Sequence, residues 1–107
     1  VLTVPSTWYI GEDMTEDADA INVSGTYLNS ATITYAITDA AGTAVSGGTG
    51  SYSYTAASNG DYTAVIESTV TTLLTEGGLY YLTVTGSQGN YNWRRRLPRR
   101  AAYRGED

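Results

Sequence analysis

Two stretches decide the fold: Ala31-Thr32-Ile33-Thr34-Tyr35-Ala36-Ile37-Thr38 and Leu79-Tyr80-Tyr81-Leu82-Thr83-Val84-Thr85. In the first, Ile33, Tyr35 and Ile37 share one side, and Thr32, Thr34 and Thr38 share the other. In the second, Tyr80, Leu82 and Val84 alternate with Tyr81, Thr83 and Thr85. Successive side chains of an extended chain point to opposite faces, so each run reads as a strand with one dry and one wetter face. Residues 61–68 repeat the pattern, with Tyr62, Ala64 and Ile66 set against Thr63, Val65 and Glu67.

Outward from these runs, further strands are expected at 2–4, 7–10, 21–24, 43–45, 51–55 and 92–103. Turn signals separate them: Gly11-Glu12-Asp13, Leu28-Asn29-Ser30, Asp39-Ala40-Ala41-Gly42, Gly47-Gly48, Ser58-Asn59-Gly60-Asp61, Glu76-Gly77-Gly78 and Gln88-Gly89-Asn90. Regularly spaced short strands predict an all-β antiparallel sandwich or small barrel. Residues 67–75 are the one helix candidate. They are rich in Thr and Val, both weak helix formers, so a loop or at most one turn is expected. The acidic segment 12–19 reads as a solvated loop or as the acidic counterpart of the arginine stretch. Pro98 cannot donate a ladder hydrogen bond, which puts its segment on a sheet edge or bends it away from the sheet.

The 107 residues fit a single domain, 1–107, with 91–107 as its Arg-rich C-terminal strand or arm. Ten tyrosines and no phenylalanine suit a thin sandwich whose ring tips reach the rim. Cysteine is absent, so no disulfide supports the fold. The opening Val1-Leu2-Thr3-Val4-Pro5 has no basic flank before a long apolar run, and neither a signal peptide nor a membrane span is expected.

Charge is sharply polarised. All six basic residues are arginines near the C-terminus: Arg94, Arg95, Arg96, Arg99, Arg100 and Arg104. Residues 1–93 hold nine acids and no base, and residues 94–107 carry +4, which together make the net −5. Arginine forks onto carboxylate or phosphate and stacks on aromatic rings, and Tyr91, Trp93 and Tyr103 lie beside the run. The leading reading is a protein interface formed by these arginines and Trp93 against an acidic neighbour. Two others stay open: arginines that cover and pair within their own body, and single-stranded nucleic acid. The acidity of the body disfavours nucleic acid.

Catalytic chemistry has little to work with. Without His or Lys, Ser lacks a base, and there is no Cys nucleophile. Only paired carboxylates remain, and these sit mostly at turns. No catalytic residue, cofactor or metal is expected. Asp13, Glu16, Asp17 and Asp19 could ligate Ca²⁺ but do not follow the twelve-residue EF-hand spacing. Gly47-Gly48-Thr49-Gly50 lacks the Lys-Ser/Thr and the helix of a phosphate loop and reads as a turn. Gly60 and Gly78 each precede a tyrosine by two positions. Tyr62 and Tyr80 are therefore expected to be structural, with hydroxyls tucked onto nearby backbone as in a tyrosine corner. Trp8, Tyr9, Tyr91 and Trp93 could alternatively present ring faces to carbohydrate.

The order of these motifs resembles a known group. Tyr27 to Val45 includes Leu28-Asn29-Ser30-Ala31 and Asp39-Ala40-Ala41-Gly42. Gly60-Asp61-Tyr62-Thr63-Ala64 and Gly78-Leu79-Tyr80-Tyr81-Leu82-Thr83-Val84 follow, and Ala101-Ala102-Tyr103-Arg104 closes the pattern. It resembles small Ig-like β-sandwich structural proteins of tailed-bacteriophage virions, departing from them at Asn29-Ser30, where Thr-Gly is usual, and in its dense arginine run. The resemblance implies an Ig-like antiparallel sandwich of about seven to eight strands. It also implies a non-enzymatic virion component assembled in the host cytoplasm: a capsid decoration or cement protein, or a head–tail (neck) connector. Its partners would be major capsid or neck and tail proteins and further copies of itself, with no membrane. A carbohydrate- or cell-surface-binding module of a phage fibre is the alternative.

Overall fold

The structure, a computed structural model, describes residues 6–105. In chain order its elements are β1 (Ser6–Tyr9), β2 (Met14–Ala18), β3 (Asn22–Val23), β4 (Thr26–Tyr27), β5 (Thr32–Asp39), β6 (Ala44–Ser51), β7 (Ser53–Tyr54), β8 (Tyr62–Ile66), the short helix α1 (Ser68–Thr71), β9 (Leu79–Gln88) and β10 (Tyr91–Ala102). Strands account for 58% of the described residues and helix for 4%, as the all-β reading expects. A five-stranded sheet runs β1-β10-β9-β5-β6, a three-stranded sheet runs β2-β8-β7, and β3 and β4 form a separate pair. The β1–β10 pairing is parallel, Ser6 opposite Arg99 through Tyr9 opposite Ala102, and the other pairings are antiparallel.

The alternation seen in the sequence builds the core. Ile33 and Ile37 from β5, Tyr80, Leu82 and Val84 from β9, Ala101 from β10 and Trp8 from β1 cluster with Tyr62, Ala64 and Ile66 from β8 and Ala18 from β2. Leu82 is 0% exposed, and burying a side chain of that size contributes roughly 1.5–3 kcal/mol. The tyrosines join this core to the loops. The Tyr62 hydroxyl donates to the Leu28 carbonyl and accepts the Ala31 N–H at 2.9 Å. The Tyr80 hydroxyl accepts the Thr75 N–H at 2.8 Å. Gly60 has φ +74°, and a Cβ there would lie 2.5 Å from the Ile21 carbonyl oxygen, so only glycine fits where the two loops cross. Gly78 is equally confined: a Cβ would lie 2.9 Å from the Thr75 oxygen and 3.0 Å from the Tyr80 ring.

Two expectations need correction. The acidic segment is not a loop, because Met14–Ala18 is a strand paired with β8. Its inward positions are Met14, Glu16 and Ala18, and a carboxylate at an inward position hides the alternation. The expected turn at 47–50 lies inside β6: Ala36 pairs with Thr49 and Thr38 with Ala44, so a bulge absorbs the glycines without ending the strand. Pro98 lies within β10, as the expected strand over 92–103 requires, and β10 pairs with β9 straight through it, Pro98 opposite Tyr81. The β1 pairing starts one residue later, at Arg99, so among the described residues Pro98 has a neighbouring strand on one side only. The expected strand at 2–4 lies outside the described residues.

Candidate functional site: the arginine strand

β10 carries five of the six arginines, and strand geometry divides them. Trp93, Leu97 and Ala101 pack on the core and set the inward face of the strand. Arg99 shares that face, and Arg94, Arg96 and Arg100 point the other way, onto the outer face of the five-stranded sheet.

Arg99 is part of the interior. Its Nη2 donates to Glu16 Oε1 at 2.7 Å and its Nε to Glu16 Oε2 at 2.9 Å, and the Trp8 indole N–H also donates to Oε2 at 2.7 Å. Nη1 donates to the Pro98 carbonyl at 2.8 Å. Glu16 is 8% exposed and Trp8 1%. The two-pronged bond to Glu16 holds the guanidinium above its ordinary pKa, against the opposing effect of burial. The cluster fastens β1 and β10 of one sheet to β2 of the other. Arg99, expected at a protein interface, spends its hydrogen-bonding edge inside the sandwich. Buried carboxylates need such partners to remain charged.

Arg104, also expected at an interface, forks onto Glu12 with Nη2 to Oε1 at 2.8 Å and Nε to Oε2 at 2.9 Å, and lies 3.9 Å from the centre of the Tyr9 ring. The hydrogen bond from Arg104 holds the Glu12 carboxyl below its ordinary value of 4.5. This pair is exposed and belongs to the body. Trp93 is partly buried against the core. A Cβ on Gly86, opposite it in β9, would lie 2.2 Å from its ring, so the indole lies across the space a side chain would fill. Its Nε1 is buried without a partner. Trp93, expected at an interface, packs its ring over Gly86, and Trp8, 1% exposed, cannot offer a ring face to sugar.

The outer face is different. The Arg96 guanidinium carbon lies 3.8 Å from the centre of the Tyr81 ring, over its face. Arg100 Nη1 donates to the Gly77 carbonyl at 2.8 Å. Arg94 makes no hydrogen bond or ion pair among the described residues, and Arg95, at the exposed end of the inward row, sits 5.9 Å from the Trp93 ring. Beside this row the sheet presents Thr83 and Thr85 from β9 and then Thr32 and Thr34 from β5, small neutral side chains that leave the cations unopposed. The sequence order alone did not separate these roles. The signal was the parity of β10, readable once Ala101 and Leu97 are taken as inward.

Among the described residues, no group of three or more acids lies close enough to hold a metal ion, and no pocket opens on the surface. No helix is long and apolar enough to cross a membrane. Comparison with protein families, curated proteins and solved structures finds no match to this chain.

Proposed function

We propose that the chain is a non-enzymatic structural component of a tailed-bacteriophage particle, a capsid decoration or cement protein or a head–tail connector, and that it docks on neighbouring subunits through the outer face of its five-stranded sheet. The observation that carries this reading is the row Arg94, Arg96 and Arg100, displayed on one face and, among the described residues, ion-paired to no carboxylate. Guanidiniums facing carboxylates favour register and partner choice, and Arg96 is already stacked on Tyr81. An Ig-like fold is supported by the strand order: β10-β9-β5-β6 corresponds to the G-F-C-C′ sheet, β2-β8-β7 to B-E-D, and a first strand runs parallel to the last. The Tyr80 hydroxyl, bonded to backbone five residues upstream, occupies the place of the tyrosine corner.

The test is incubation of the purified protein with undecorated phage shells, followed by imaging. Bound density that disappears in the Arg94→Ala, Arg96→Ala, Arg100→Ala variant supports the reading. Absence of binding to shells, necks and tails, or binding that the triple variant retains in full, overturns it.

A further inference from the structure

Internal pairing uses up charge selectively. Glu16 is held by Arg99 and Glu12 by Arg104. Asp13 accepts the Ser68 N–H, Asp61 the Ala20 N–H, and Asp39 the N–H groups of Ala41 and Thr43 in its own turn. Among the described acids, the carboxylates of Asp17, Asp19 and Glu67 are left without a hydrogen bond or ion pair. Asp17 lies on β2 with parity opposite to the buried Glu16, so it stands on the outer face of the three-stranded sheet, and Asp19 follows directly after the strand end. The unspent cations Arg94 and Arg96 stand on the outer face of the other sheet. The two sets point away from each other across the thickness of the sandwich, so one molecule cannot bring them together.

We propose that a second copy of this chain occupies the arginine face, setting Asp17 and Asp19 of its β2 edge against Arg94 and Arg96. Arg94 and Arg96 stand two strand positions apart, about 6.8 Å, and Asp17 and Asp19 are likewise two residues apart in sequence, so the two pairs match in sign and in sequence spacing. The contact is heterologous: each molecule uses one face as donor and the opposite face as acceptor, and repetition closes a ring or extends a stack. The inference rests on the reading that the arginine face docks onto carboxylates, and it names the occupant.

Charge-swapped variants test it by sedimentation velocity at about 50 mM and about 500 mM salt, where screening differs several-fold in range. Wild type is expected to self-associate, at least about tenfold more weakly at the higher salt. Arg94→Glu with Arg96→Glu, and separately Asp17→Arg with Asp19→Arg, are each expected to be monomeric with an unchanged circular dichroism spectrum. Mixing the two at equal concentration restores association, because each swapped face then meets its complement. Monomeric wild type at low salt, variants that associate like wild type, or a mixture that stays monomeric each overturn the inference. If wild type is monomeric yet decorates phage shells, the particle reading survives and this one fails. If it self-associates by these rules and ignores shells, the reverse holds.

Discussion

Replacing Arg99 with methionine removes the guanidinium from Glu16 and leaves the carboxylate between β2 and β1 with the Trp8 indole as its remaining side-chain donor. Three short charge-assisted bonds, at 2.7, 2.9 and 2.7 Å, converge on that carboxylate, and the two charged side chains are 12% and 10% exposed. A pair this enclosed behaves as buried: stranding one partner costs about 3–5 kcal/mol, against about 0–1 kcal/mol for an exposed pair. Set against a typical domain stability of about 5–15 kcal/mol, that is a large fraction. At roughly 4 °C or more per kcal/mol for a chain of this size, Arg99→Met should melt at least about 12 °C below wild type. Urea unfolding followed by tryptophan fluorescence measures the loss. The companion Glu16→Leu, Arg99→Met double variant removes both charges and should recover most of it, since apolar replacements of buried pairs are often neutral or better. A loss under about 1 kcal/mol for Arg99→Met, or a double variant no better than the single, would refute the reasoning and return Arg99 to the surface.

Other consequences are smaller. Gly60→Ala should cost at least about 2 kcal/mol in the same unfolding assay, because it combines a positive φ with a contact on Ile21 that cannot relax without moving backbone. Burial, reinforced by the nearby Glu16, pushes the Tyr52 hydroxyl from its ordinary 10.0 up to about 12. The stability tied to its neutral form is complete below pH 10 and lost as pH rises toward about 12, so Tyr52→Phe should flatten the alkaline limb of the stability profile. Glu12 is shifted the other way. Its pairing with Arg104 stabilises the fold above the ordinary carboxyl value of 4.5 and is lost as pH falls through the lowered one. Arg104→Gln should therefore differ from wild type at neutral pH and converge with it in acid.

Much of the fold was legible because its strands obey a period of two. Residues 31–38, 61–68 and 79–85 announced their inward faces, and those faces are the core. The β2 strand was not legible, because its inward position is a glutamate whose burial depends on an arginine 83 residues away. A local pattern cannot register a partner that distant. The glycines of β6 misled for a related reason: a bulge and a turn have the same residue preferences, and the pairing with β5 decides between them. The arginine run was visible from the outset, but its division into buried, body-paired and displayed members needed the register of β10. Arg99 goes inward because Ala101 does, and Arg96 goes outward onto Tyr81.

The displayed arginine row is proposed as a docking face for carboxylates of a neighbouring subunit. Electron cryomicroscopy of an assembled particle containing this chain, at a resolution that shows side chains, tests it most directly. The account predicts that Arg94, Arg96 and Arg100 lie within hydrogen-bonding distance of a neighbour's Asp or Glu while Arg99 remains on Glu16. A particle in which this face is open to solvent and the neighbours meet the chain elsewhere would contradict it.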